Sequence, residues 1–125
     1  MEKQSVAIIG LGRVGSRFLE ILLGSSSKGI AISAVVENGS TPGRAAAQAH
    51  GIKIISIDEL VAKGDAVDII FDLTGVATVR KELREKLFAA ANRHTVIATE
   101  SVARLIWALI TDGSDLPSVH HKTGY

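Results

Sequence analysis

The sequence has no cysteine, only two prolines, 4% aromatic residues and no excess of either charge. Without cysteine there is no disulfide framework, no thiolate metal site and no cysteine nucleophile. The 14 Lys+Arg against 13 Asp+Glu give 14 − 13 = +1, with the two signs interspersed. That pattern lacks the one-sided basic patch that nucleic acid or an anionic membrane surface requires, so neither is expected as a partner. Long apolar runs are missing too. The first, Val6 to Ile9, stops at Gly10, too short for the core of a signal peptide, and no run approaches the roughly 20 residues of a membrane span. A cytoplasmic protein is expected. What remains is 125 residues, 46% of them apolar, enough for one domain whose core needs neither disulfide nor metal.

The apolar pattern alternates between short runs and helical spacing, with turn or cap residues at each change. Ser5 to Ile9 is a short apolar run ended by glycine, a strand buried on both faces. From Arg13 to Leu23, Val14, Phe18, Ile21 and Leu22 fall at helical spacing. Gly24 to Gly29 is a glycine- and serine-rich loop, and Ile30 to Val36 a second strand. Thr41-Pro42 supplies an N-cap and a first-turn proline for an alanine-rich helix, with Gly51 at its C′ position. Ile52 to Ile55 predicts a third strand, and Ser56-Ile57-Asp58-Glu59 a capping box opening a short helix that ends at Lys63-Gly64. Val67 to Phe71 predicts a fourth strand, followed by a helix with Val79, Leu83 and Leu87 inward and Arg80, Lys81, Glu82, Arg84, Glu85 and Lys86 on a solvated face. His94 to Ala98 predicts a fifth strand and Glu100 to Thr111 a last helix. Such alternation implies parallel strands joined by right-handed crossovers. The expected fold is a doubly wound open α/β sheet of about five strands with helices on both faces, spanning residues 1–113, with a polar, flexible tail over 114–125.

Chemistry concentrates after the first strand. Gly10-Leu11-Gly12-Arg13-Val14-Gly15 is GxGxxG, placed directly between a strand and the helix it opens. Gly10 makes the tight turn, Gly12 lets the backbone approach a pyrophosphate, and Gly15 permits close helix-to-strand packing. The phosphates then meet the N–H groups and positive dipole of the helix N-terminus. Glu37, at the end of the second strand and 22 residues past Gly15 (37 − 15), is placed to accept both hydroxyls of an adenosine ribose. A 2′-phosphate there would meet a like charge, so NAD is expected over NADP, although Arg44, seven residues on, could swing towards a phosphate. Arg13 is a further candidate for pyrophosphate contact. Thr74 and Gly75, after the fourth strand, could touch the nicotinamide half through hydroxyl and backbone. Of the four histidines, His50 reads as a helix end and His94 as a strand start, while the adjacent His120 and His121 lack further spaced ligands. No metal site and no catalytic constellation is expected.

These residues resemble the Rossmann-type NAD-binding domain shared by homoserine dehydrogenases and aspartate dehydrogenases. The likeness runs through Val6 to Gly15 with Phe18 to Leu23, then Asp68-Ile-Ile-Phe-Asp-Leu-Thr-Gly75, then the segment ending at Ala98, roughly residues 5 to 111. After the fifth strand the homoserine enzymes carry an Asn-Lys pair whose lysine serves catalysis, whereas this chain has Thr99-Glu100-Ser101-Val102. Those enzymes also hold substrate with a second domain, for which the 125 − 113 = 12 residues after Gly113 are too few. A second resemblance, through the glycine loop, the Leu-Thr-Gly turn and Ala103-Arg104-Leu105-Ile106-Trp107, is to Rossmann modules at the N-terminus of bacterial sensor kinases. Together these imply a noncatalytic, sensing or regulatory NAD-binding domain. The alternatives are the cofactor half of an oxidoreductase acting on a CH–OH or CH–NH2 group, and a regulatory nucleotide module of a transport system. In the last helix, Val102, Leu105, Ile106 and Leu109 are expected to dock on the sheet. Ala103, Trp107 and Ile110 would then face water as an interface for a second copy or a partner domain.

Overall fold

A computed structural model describes residues 3–24 and 28–110. In chain order the elements are β1 (Gln4–Ile9), α1 (Arg13–Leu23), β2 (Ile30–Val36), α2 (Pro42–Ala49), α3 (Ile57–Ala62), a 3₁₀ turn at Gly64–Ala66, β3 (Ile69–Asp72), α4 (Ala77–Ala89), β4 (Val96–Ala98) and α5 (Glu100–Ile110). All strand pairs are parallel, in the order β2-β1-β3-β4. β1 is therefore central, and the winding direction reverses beside it, between the crossover to β2 and the return to β3.

Side-chain alternation along β1 splits the core into two layers. Val6 and Ile8 join Val14, Phe18, Leu19, Phe71, Ala103 and Trp107 on the side of α1 and α5. Ala7 and Ile9 join Leu60 of α3 and Leu83 and Leu87 of α4 on the other. This is why β1 carries no polar residue after Ser5: both faces are covered by helices. The rings of Phe18 and Phe71 meet with centroids 4.7 Å apart. Helix ends follow their local chemistry. Thr41 accepts from the Arg44 N–H at 3.1 Å with Pro42 at the first helical position, Ser56 and Glu59 form both bonds of a capping box, and Gly51 takes φ +74°. On α4, Lys81–Glu85 and Glu82–Lys86 pair at helical spacing, and Lys86 also reaches Asp58 of α3.

Four expectations change. Among the described residues the sheet has four strands rather than about five, because Ile52 to Ile55 meets β2 through the single bridge Val35–Ile54 and then turns into the Ser56 cap. The strand expected at Val67 begins at Ile69, since the Asp68 side chain bonds the N–H of Ser5 at 2.8 Å. The strand expected at His94 begins at Val96, because Asn92 Oδ1 takes the N–H groups of both His94 and Thr95 at 2.9 Å. Finally, α5 presents its opposite face to the sheet. Ala103 and Trp107 are buried, while Leu105 and Leu109 are 60% and 75% exposed and Val102 is exposed as well. A helix that is apolar almost all round does not fix its own orientation. Small Ala103 permits close approach, Glu100 turns inward to Arg104, and the Trp107 indole packs towards α1, where the Arg17 guanidinium lies 5.7 Å from the ring. Trp107 is thus a core residue and not a surface anchor, while Ile110 stays exposed. The tail expected over 114–125, with His120 and His121, lies outside the described residues. Among those described, no helix is long and apolar enough to cross a membrane.

Candidate functional site

Three loops converge at the carboxyl edge of the sheet around β1. The ladder continues past the strands, with Gly10 N–H donating to Val36 O at 2.8 Å and Leu73 N–H to Ile9 O at 2.9 Å. The loops after β1, β2 and β3 therefore start side by side, the crevice in which open α/β sheets bind ligands.

The three glycines of the first loop do different mechanical work. Gly10 has φ +93°, and a Cβ there would meet Thr74 Cγ2 at 2.9 Å, so the loops after β1 and β3 touch at this point. A Cβ on Gly15 would lie 1.8 Å from Gly10 O. Only a residue without one lets α1 seat so closely on the turn. A Cβ on Gly12 would meet nothing within 4 Å: this glycine borders open space, where the backbone can be approached. Gly12 is the N-cap of α1 and supplies no side-chain cap, and the first helical bond runs from Ser16 N–H to Gly12 O at 2.9 Å. The N–H groups of Arg13, Val14 and Gly15 precede that bond and have no partner within the helix. This is the arrangement that accepts an anion. The side chains of Leu11 and Val14 are buried in the core, which leaves only their backbone for a ligand, whereas Arg13 is exposed beside the loop.

Glu37 stands at the end of β2 as expected, and its carboxylate is already oriented. Oε1 accepts from Leu11 N–H at 2.5 Å and Oε2 from Gly39 N–H at 2.8 Å. A carboxylate has about four acceptor positions, so both oxygens retain capacity for ribose hydroxyls. The Leu11 N–H is thereby taken by Glu37. The carbonyl of Glu37 accepts from Arg44 Nη1 at 2.6 Å, which places Arg44 at the site without using its charge on the carboxylate.

The third loop is ordered by Asp72, whose side chain is completely buried. Its Oδ1 accepts from both the N–H (3.2 Å) and the hydroxyl (2.8 Å) of Thr74, and its Oδ2 lies 3.7 Å from Arg80 Nε. The Thr74 hydroxyl also accepts from Val76 N–H at 3.1 Å. The hydroxyl proton of Thr74 is thus committed to Asp72, and Gly75 follows with φ +70°. Arg80, expected on a solvated face, instead joins this buried cluster. Neither Asp72 nor Arg80 stood out in the sequence: α4 spacing places Arg80 among five other charged residues, and only the fold brings it to the end of β3. Among the described residues, no three metal-ligating side chains cluster.

The family model described as "Homoserine dehydrogenase, NAD binding domain" matches residues 10–103. The chain belongs to this family. Its cofactor is NAD. Among solved structures, the domain is similar to homoserine dehydrogenase from S. aureus at pH 7.0, with 18% identity and a TM-score of 0.59, covering 83% of this chain and 29% of that one. It is also similar to homoserine dehydrogenase from Thiobacillus denitrificans, with 24% identity and a TM-score of 0.54, covering 86% of this chain and 27% of that one. At these identities the likeness shows the fold. The domain spans less than a third of the length of either enzyme. A comparison with curated protein sequences gives no match.

Proposed function

We propose that this NAD-binding domain prefers NAD(H) to NADP(H) and binds it without turnover, as a sensing or regulatory unit. The pyrophosphate lies over Gly12 against the N–H groups of Arg13 to Gly15, the adenosine ribose bonds Glu37, and the turn at Thr74 and Gly75 borders the nicotinamide half. The observation that carries the noncatalytic part is Glu100. The homoserine enzymes it resembles place an Asn-Lys pair after this strand, but here Glu100 is buried and receives Arg104 Nε and Nη2 on Oε1, both at 2.8 Å. The segment directly after β4 reads Thr99-Glu100-Ser101-Val102, with no lysine at the matching place. Two measurements test the reading. Calorimetric titration is expected to give tighter binding of NAD than of NADP, and equal affinities would defeat the preference. At saturating NAD, homoserine, aspartate and related hydroxy and amino acids are expected to give no NADH absorbance. Slow enzyme-dependent NADH formation would instead support a second reading, the cofactor half of an oxidoreductase, which the match to the homoserine dehydrogenase NAD-binding family favours.

A further inference from the structure

The helix α5 keeps an apolar face in water that its own domain does not use. Leu105, Leu109 and Ile110 are each more than half exposed, and Val102 is exposed beside them. Val96, on the same face of β4 as the buried Ala98, is exposed as well. Together these five residues leave on the order of 500 Å² of apolar surface, at the upper end of what a monomer keeps in one patch. Charge is scarce on this helix. Its charged side chains are Glu100 and Arg104, which pair with each other at 2.8 Å, whereas the outer face of α4 carries Lys81, Glu82, Arg84 and Glu85 in water. A helix face that belongs to solvent is polar, and α4 obeys that rule where α5 breaks it.

We infer that the outer face of α5 is an interface between two copies of this chain, packed helix against helix about a two-fold axis. Such an interface must be self-complementary: where residue i meets j, j meets i. The apolar stripe meets that condition. Val102, Leu105, Ile106 and Leu109 stand at i, i+3, i+4 and i+7, a spacing that reads the same in both directions, so with the helices antiparallel and the axis between Leu105 and Ile106, Val102 of each copy meets Leu109 of the other. Because Glu100 and Arg104 neutralise each other within each chain, no net charge on the helix opposes the approach, and the small exposed Ser101 and Ala108 let the two backbones come close. Two such patches bury about 1,000 Å² between them, the least that a specific interface needs. Association of this size is of the weak, roughly micromolar kind, so dilute protein is a single chain.

The test is sedimentation equilibrium of the full chain over about 1–300 μM. Wild type is expected to pass from the mass of one chain to the mass of two across that range. Leu105→Asp and Leu109→Asp are expected to raise the dissociation constant by about tenfold or more, whereas Phe88→Asp, at a position 86% exposed on α4 across the sheet, should leave it unchanged. All three positions are exposed, and thermal melts of dilute protein check that each variant folds. Orientation is read by disulfide capture, for which the sequence offers no competing cysteine: a mixture of Val102→Cys and Leu109→Cys chains should cross-link to each other in preference to themselves. A wild type that stays monomeric throughout overturns the inference and leaves the face to a different occupant. A dimer that survives both α5 substitutions, or that Phe88→Asp dissolves equally well, overturns it by placing the interface elsewhere, and a preference for like-with-like cross-links overturns the antiparallel packing.

Discussion

Adding the same methyl group at two glycines three residues apart is expected to separate stability from binding. At Gly15 the new Cβ would lie 1.8 Å from Gly10 O, where side-chain carbons stay beyond 3.0 Å, so α1 must move by about 3.0 − 1.8 = 1.2 Å against a packed sheet. Overpacking of that kind costs about 3 kcal/mol, which lowers the melting temperature of a domain this size by about 10 °C or more. At Gly12 the Cβ meets nothing within 4 Å and φ is −78°, so Gly12→Ala should leave the unliganded protein within about 0.5 kcal/mol of wild type. In the proposed binding mode, however, its methyl group would occupy the open space beside Gly12 through which a pyrophosphate would approach the backbone. Thermal melts with and without NAD read both effects. At ligand one hundred times above the dissociation constant, wild type gains about 2.7 kcal/mol; a tenfold weaker complex at the same concentration gains only about 1.4 kcal/mol. The expected pattern is an unchanged melt with a reduced NAD shift for Gly12→Ala, and a lowered melt for Gly15→Ala. If Gly12→Ala destabilises the unliganded protein as much as Gly15→Ala, or keeps the full NAD shift, the division of labour assigned to these glycines is wrong.

Three further outcomes are expected. Trp107→Ala should cost about 3–5 kcal/mol in urea denaturation and Leu105→Ala less than about 0.5 kcal/mol; equal losses would contradict the orientation of α5. Asp72→Ala should cost about 3 kcal/mol, because it leaves Arg80 and the Thr74 hydroxyl facing a site without its carboxylate, and a loss below about 1 kcal/mol would show that the turn holds itself. The His94 imidazole lies 2.6 Å from Asp68 Oδ1, a bond that raises its pKa above 6.5, while the N–H of Ser5 first and His94 second hold Asp68 below 3.8. The stability this pair contributes is complete below pH 6.5 on the histidine side and is lost as the pH rises through the raised value. On the aspartate side it is present above pH 3.8 and is lost as the pH falls through the lowered value. The difference in melting temperature between wild type and His94→Ala should therefore be largest between about pH 4 and 6.5 and shrink towards pH 9; a difference that grows with pH would reverse the assignment.

The parts of the site legible in the sequence are those whose requirement is local. A turn at φ +93°, a helix seated on a carbonyl and an uncapped helix start each demand glycine at a fixed offset, so Gly10, Gly12 and Gly15 could be given roles from spacing alone. Glu37 was legible because a strand end is itself a sequence signal. Arg80 with Asp72 was not, since a charge run on a helix gives no sign of which member meets a strand end eight residues back in the chain. The orientation of α5 was lost for the opposite reason: Val102, Leu105, Ile106, Trp107, Leu109 and Ile110 offer apolar surface in every direction. The choice between faces is made by Ala103 and by the ion pair of Glu100 with Arg104, which periodicity weighs as minor. Strand starts shifted because Asp68 and Asn92 use side chains to take N–H groups near the strand starts.

The titrating pair and the candidate site occupy opposite ends of the same sheet. Asp68 and His94 close the amino ends of β1, β3 and β4, whereas the glycine loop, Glu37 and Asp72 stand at the carboxyl ends. From Ser5 to Gly10 the strand advances about 16 Å at about 3.3 Å per residue, roughly two screening lengths at physiological salt. A proton gained at His94 is thus electrostatically remote from the candidate site at Gly12. Protonation of His94 is therefore expected to change thermal stability while leaving the field at the candidate site nearly unchanged.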